Sequence, residues 1–210
     1  MIRSQNLNNA FFSSANDGSL EEILETIGFQ NQVATMDQTH SSEIAFADSN
    51  ISYKCDGIYT NKIKLPLVVK TADCVPLLME SSKGVSATHA GWRGLLSGVI
   101  DNACSEMINL GGRPTRAEVG PCIRPGYYEF GVDDLKLLER QFGSEVRSRT
   151  KHGEPSLDIP KTVHVALTRN DVHDIFVMDQ CTATSDKHWS YRVGKDEKRQ
   201  AMIAWLEETV

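Results

Sequence analysis

The chain has 210 residues, 40% hydrophobic and 24% charged, which is enough apolar material for one folded domain and too little charge excess for a disordered one. Its 22 Lys and Arg against 28 Asp and Glu leave a net charge of −6, the wrong sign for a protein that gains affinity by neutralising nucleic-acid phosphates. Five cysteines (Cys55, Cys74, Cys104, Cys122 and Cys181) contain no C-x-x-C pair, and no apolar run, LPLVV at 65–69 included, is long enough to span a bilayer or serve as a leader, so the expectation is a cytoplasmic protein with reduced thiols.

Ser19 and Glu22 form the pattern of a capping box that opens a helix over SLEEILETIGF, with Gly28 as its stop. Short apolar or alternating runs bounded by turn residues predict strands at 30–36, 43–47, 56–60, 66–70, 75–80 and 84–90, the last two joined as a hairpin through Ser81-Ser82-Lys83-Gly84. The spacing of Leu95, Val99, Cys104 and Ile108 then predicts one long helix ended by Gly111 and Gly112. RAEVGPCI reads as a strand, VDDLKLLERQF as a helix capped near Asp133, DIPKTVHVALTRN as a helix with Pro160 in its first turn, and DIFVMD and WSYRV as strands, while AMIAWL carries no periodicity and is open between strand and helix, with strand preferred. Strand runs interspersed with helices, without strict βαβ alternation, predict an α+β fold, and no G-x-G-x-x-G or P-loop pattern marks a doubly wound nucleotide domain. No repeat or linker divides the chain, so residues 1–210 are expected to form a single domain.

Three segments place metal-ligating side chains beside predicted strands: Gln38-Thr39-His40, Ala72-Asp73-Cys74, and Thr88-His89-Ala90-Gly91-Trp92-Arg93-Gly94. Pro76 cannot donate to a central ladder, which predicts a bend, a bulge or an edge around Cys74 and an accessible sulfur. His, Cys and His are a credible zinc set with a fourth position left for water or substrate. Their separations of 34 and 15 positions match no local ligand pattern, so by residue types and spacing alone a buried thiol and two hydrogen-bonded imidazoles are the commoner reading. They also allow Cys74 to act as a nucleophile activated by His40 or His89, an amide or peptide hydrolase, or a zinc-stabilised binding module. The helix starting near Trp92, with Arg93, offers a place for an anion close to His89, and the same residues equally read as glycines that permit tight packing around a core Trp92. Asp73 is a candidate to orient a ligand or to bond nearby backbone amides, Cys122 and Cys181 read as small buried thiols, and His152, His164, His173 and His188 as surface or capping residues. Six His with no His-x-His pair are too few for a multi-copper oxidase.

The segments QTHSSEI, CDGIYTN, VKTADCVPLLM, THAGWRGLLSGVI, GPCIRPGYYEFG and QCTATSDKHWSYR follow one another in the order of the signatures of the YfiH-type family, also called laccase-domain or polyphenol oxidase proteins, and the chain resembles that family from about Gln38 to Leu206. ADC and HAGWRG are the most specific of these. The resemblance implies a Zn2+ site made by His40, Cys74 and His89 as the catalytic centre, and mixed β-sheets sandwiched between helical layers in an α-β-β-α arrangement. It implies phosphorolysis of adenosine, inosine and methylthioadenosine with accompanying deamination of adenosine, the partners being a small-molecule nucleoside and phosphate. Asp73, Arg93 and Arg192 are the substrate-binding candidates, Arg192 on the strength of its motif. The chain departs from the family where FFSSANDGS shortens an N-terminal Arg-Gly-Gly stretch, and where Val193 stands in place of the second of two arginines, with Arg199 as a later basic position. These departures bear on phosphate affinity and substrate range more than on the metal site.

Overall fold

The computed structural model describes residues 1–30 and 32–208. In chain order the first half forms β1 (Ile2–Arg3), β2 (Ala10–Phe12), α1 (Leu20–Thr26), β3 (Thr35–Met36), β4 (Ile44–Phe46), β5 (Ser52–Tyr53), β6 (Gly57–Thr60), β7 (Leu67–Thr71), β8 (Val75–Ser81) and β9 (Val85–Ala90). The second half forms α2 (Trp92–Leu96), α3 (Val99–Asn109), β10 (Pro114–Val119), α4 (Val132–Phe142), β11 (Arg147–Arg149), β12 (Pro155–Leu157), α5 (Ile159–Arg169), β13 (Asp174–Val177), α6 (Tyr191–Gly194) and β14 (Gln200–Ala204). A four-stranded sheet runs β1-β2-β14-β7 and a six-stranded mixed sheet runs β13-β10-β8-β9-β6-β4, with β3-β5 and β11-β12 as small satellites.

The period of two along a strand assigns the layers. In β14, Ala201 and Ile203 turn with Val68 towards Ile23 and Leu24 of α1, whereas Met202 and Ala204 turn with Leu67 and Val69 towards the six-stranded sheet. In β8, Leu78 joins that inter-sheet core, while Val75, Leu77 and Met79 face the opposite way onto α3, α4 and α5 through Ile100, Leu135 and Val163. The order is therefore α1, four-stranded sheet, six-stranded sheet, then the remaining long helices, which is the α-β-β-α sandwich that the resemblance implied. A sheet covered on both faces needs apolar side chains at successive positions, which is why VPLLM reads as a continuous run.

Most predicted elements form, and the exceptions have local causes. The Ser19–Glu22 capping box is present in both directions at the start of α1, and AMIAWL supplies a central strand of the first sheet. The long helix is two, because Gly98 adopts φ 84 between Leu96 and Val99 and aims α2 away from α3. WSYRV is a short helix rather than a strand: the Ser190 hydroxyl accepts the Val193 N–H and Lys195 takes a left-handed conformation at its end. The N-cap of α4 is Gly131, with Asp133 in the first turn. The run at 30–36 yields only Thr35–Met36, and its residue Asn31 lies outside the described residues. β1, β2 and β5 carried too few residues to register as periodic runs.

Pro76 sits in a central strand, so of the bend, bulge or edge expected around Cys74 the edge does not form. Its carbonyl accepts the Gly120 N–H at 3.0 Å, so its nitrogen faces the same side, and the β10 register there has already ended at Leu77–Val119. No ladder donor is lost. The bend falls at Asp73, whose φ is 93.

Leu78 is fully buried between the two sheets, and Leu78→Ala is expected to destabilise the chain by about 2–5 kcal/mol, read as a shift of the urea midpoint at unchanged slope.

Candidate metal centre and cleft

His40, Cys74 and His89 come from a loop, a turn and a strand, and one buried carboxylate sets two of them in place. Asp56, fully buried just before β6, accepts the backbone N–H groups of Thr39, His40 and Ser41 at 3.1, 2.9 and 2.7 Å, and the Ser41 hydroxyl at 2.7 Å. Its Oδ1 also lies 2.7 Å from Nδ1 of the buried His89. The loop wraps this oxygen pair tightly enough to hold His40 at φ 63, a left-handed conformation that few non-glycine residues adopt. Sequence reading passed over Asp56; the available signal was a carboxylate at the mouth of an apolar strand, where a charge must be paired if it is buried.

Cys74 follows Asp73, whose strained backbone is fixed from both sides. Asp73 Oδ1 accepts the Thr182 hydroxyl and Oδ2 accepts the Arg192 N–H, each at 2.6 Å, while its carbonyl accepts the Ile123 N–H at 2.9 Å. Both carboxylate oxygens are thus engaged by the protein, so Asp73 joins the turn carrying Cys74 to the start of α6.

The three ligand atoms lie within 4.8 Å of one another, and Cys74 Sγ is 3.8 Å from His40 Nε2. A four-coordinate ion with bonds of about 2.0–2.3 Å holds its donors about 3.3–3.6 Å apart, so the group is within reach of one ion. Because Asp56 engages Nδ1 of His89, Nε2 is the nitrogen left for ligation, and the carboxylate–imidazole arrangement is the one that raises ligand basicity. Among the described residues this is the one group of at least three such side chains placed to share an ion, and it fits a single borderline-soft divalent cation. There is no room for a further Cβ beside it: one built on Gly91 would come 2.8 Å from His40 Cδ2.

Burial pushes the Cys74 thiol up, but hydrogen bonds and positive charge from His40 and His89 outweigh it and bring it down to about 6. Burial likewise pushes His89 down, and Asp56 and the Cys74 thiolate more than reverse this, raising it to about 9. Asp56 is held far below the usual carboxylate range, because its bonds to His89 and the Ser41 loop overcome its burial.

The centre opens onto a cleft of about 670 Å³. All six residues singled out in the sequence line it: His40, Asp73, Cys74, His89, Arg93 and Arg192. Lys70 and Arg199 join them, so four cationic side chains border one cleft in a chain of net charge −6. The Arg93 guanidinium lies 4.3 Å over the Trp92 ring. That of Arg192 lies 4.8 Å over Tyr128 and donates to the Glu129 carbonyl at 2.8 Å. α2 has only five residues, so its dipole is slight and anion attraction rests on these side chains. Val193 points to solvent at 61% exposure, whereas Arg199 faces the cleft. Cys122 is fully buried and outside the cleft; His188, expected at the surface, is buried with Nδ1 2.9 Å from the Ser185 hydroxyl.

The family described as multi-copper polyphenol oxidoreductase laccase matches residues 14–207. Purine nucleoside phosphorylases match as well, one from Streptomyces coelicolor at 34% identity over 184 residues, 84% of this chain and 76% of that protein. The chain belongs to this YfiH-type purine nucleoside phosphorylase family. The purine nucleoside phosphorylase YfiH of Shigella flexneri is 31% identical over 179 residues, 81% of this chain and 72% of that protein. Crystal structures of YlmD from Geobacillus stearothermophilus and of YfiH from Bacillus licheniformis share the fold, with TM-scores of 0.79 and 0.80 at 21% and 22% identity. They cover 97% and 89% of this chain, and 88% and 79% of theirs. The copper description calls for more donors than the candidate group of His40, Cys74 and His89 supplies. Among the described residues no helix is long and apolar enough to cross a membrane.

Two outcomes are expected. Asp56→Asn weakens divalent-metal affinity by about 10–100-fold, measured by competition with a chromophoric chelator, since an amide cannot accept all the bonds that the carboxylate takes. Between pH 6 and pH 9 the Cys74–His89 pair holds one proton that ligation must expel, so metal loading at pH 7.5 releases about one proton from the pair, and about two below pH 6. Calorimetry in buffers of different ionisation enthalpy reads this number, and zero release would contradict it.

Proposed function

We propose that this chain is a zinc-dependent purine nucleoside phosphorylase that also deaminates adenosine, taking adenosine, inosine and methylthioadenosine as nucleosides and phosphate as co-substrate. The observation that carries the reading is that the His40, Cys74 and His89 donor group and the cations Lys70, Arg93, Arg192 and Arg199 border the same cleft. Phosphorolysis needs an anion brought to the ribose and charge on the departing base balanced, and an enclosed cationic cleft meets the first need. Family membership supports the nucleoside.

In this reading His40, Cys74 and His89 hold the zinc, which supplies Lewis acidity at neutral pH. Arg93 and Arg192 bind phosphate, their guanidinium planes held by Trp92 and Tyr128. Asp73 positions Arg192 through the backbone bond at 2.6 Å. Arg199 takes the place of the second family arginine, replaced here by Val193. Trp92 and Tyr128 give the cleft an apolar wall for the purine.

Purified protein incubated with inosine or adenosine, with and without phosphate, and resolved by chromatography tests this. Hypoxanthine should appear from inosine only when phosphate is present, adenosine should give both adenine and inosine, and His89→Ala should lower each rate by about 100-fold or more. Absence of base above the His89→Ala control would remove the assignment. The depressed Cys74 thiol beside His40 supports a second reading, an amide or peptide hydrolase with Cys74 as nucleophile. Amide cleavage by metal-free protein, abolished by iodoacetamide, would favour that reading.

A further inference from the structure

A buried tyrosine hydroxyl ordinarily finds a partner, since a polar atom taken from water without one is costly. Tyr53 donates to Asp48, Tyr59 donates to Glu106, and Tyr127 accepts from Lys151. Tyr128 differs: its side chain is 8% exposed and lines the cleft, and its hydroxyl, which bonds to no described residue, is open to the cleft and not sealed away from it. The side chain is nevertheless fixed. Its ring stands edge to face against Phe130 with centroids 5.4 Å apart, under the Arg192 guanidinium at 4.8 Å. Its backbone N–H donates to the Pro125 carbonyl at 3.2 Å, and its carbonyl accepts the Leu157 N–H at 3.4 Å.

Among the neutral and acidic groups of the cleft, several are already committed or out of reach, and the cations Lys70 and Arg93 are assigned to the anion. The Gln38 amide is spent on the Lys70 backbone at 2.8 and 3.0 Å, and Asp73 on Thr182 and Arg192. The Thr71 hydroxyl is unpartnered but sealed from solvent, and Tyr191 is 55% exposed, where water competes for its hydroxyl. A rigid phenol without an acceptor, held beside the metal donors and the cations, is preorganised for a substrate atom.

We propose that Tyr128 is a catalytic residue whose hydroxyl donates a hydrogen bond to the purine as the base departs. The assignment rests on the phosphorolysis reading above. A phosphate oxygen bonds to ribose C1′ as the C1′–N9 bond breaks, and the electron pair of that bond passes to the purine. Tyr128 steadies the resulting anion and keeps its own proton. The base then takes from solvent the proton that the hydrogen phosphate gives up, so the products are ribose 1-phosphate and the neutral base.

Tyr128→Phe keeps the ring and removes a hydroxyl that bonds to nothing in the protein, so its thermal midpoint should equal or exceed that of the parent. Its kcat for inosine is expected to fall by about 100-fold with KM and metal content unchanged. With 7-methylinosine, assayed below neutral pH where N1 stays protonated and the cationic nucleoside releases a neutral base, the variant should stay within about threefold of the parent at the same pH. An undiminished rate on inosine, or equal losses on both nucleosides, overturns the role of Tyr128. A parent protein that releases base from neither nucleoside overturns phosphorolysis itself, and this assignment with it.

Discussion

The buried Asp56 carboxylate carries more of this structure than any other single group. It draws in three successive backbone N–H groups of the His40 loop and the ring nitrogen of His89, so one charge fixes both imidazoles of the candidate centre. A carboxylate taken out of water with fewer partners would protonate or expel the loop. With them, it remains charged and stores the strain of His40 in its left-handed conformation. Cys74 is placed by the corresponding device on the other side of the cleft, where Asp73 is left-handed and tied to Thr182 and Arg192. Asp56 and Asp73, 17 positions apart, therefore fix the segments that carry the three donors.

The layered core gives these loops something rigid to hang from. β8 and β9 are adjacent central strands, so Cys74 at the entry to one and His89 near the exit of the other are neighbours by register, Pro76 pairing with His89. Parallel pairing of β4 with β6 brings the segment after His40 alongside Asp56 and Gly57. Cleft and candidate metal centre thus occupy one end of a sheet buried on both faces, where side chains have little freedom to drift. Gly91, at the end of β9, leaves the gap that the His40 ring occupies.

Electrostatics divides the cleft in two. Near the floor, Asp56 and the thiolate of Cys74 supply negative charge that favours a cation. Around the rim, Lys70, Arg93, Arg192 and Arg199 favour an anion despite the overall acidity of the chain. The donor group thus favours a cation and the bordering side chains an anion within one cleft.

Whereas AMIAWL carried no period and only the sheet decided it as a strand, local patterning alone gave the capping box of α1 and the hairpin of β8 and β9, because these depend on neighbours within a few residues. It also named His40, Cys74 and His89 as a set, through the family signature more than through spacing. It misread 189–193, where a serine cap and a left-handed lysine override apolar residues, and it ran α2 into α3 across Gly98. Convergence of the donors, the service of Asp56 to both histidines and the unbonded hydroxyl of Tyr128 were decided by tertiary structure. Each depends on groups brought together by strand register and on burial, and neither quantity is written in any short stretch of sequence.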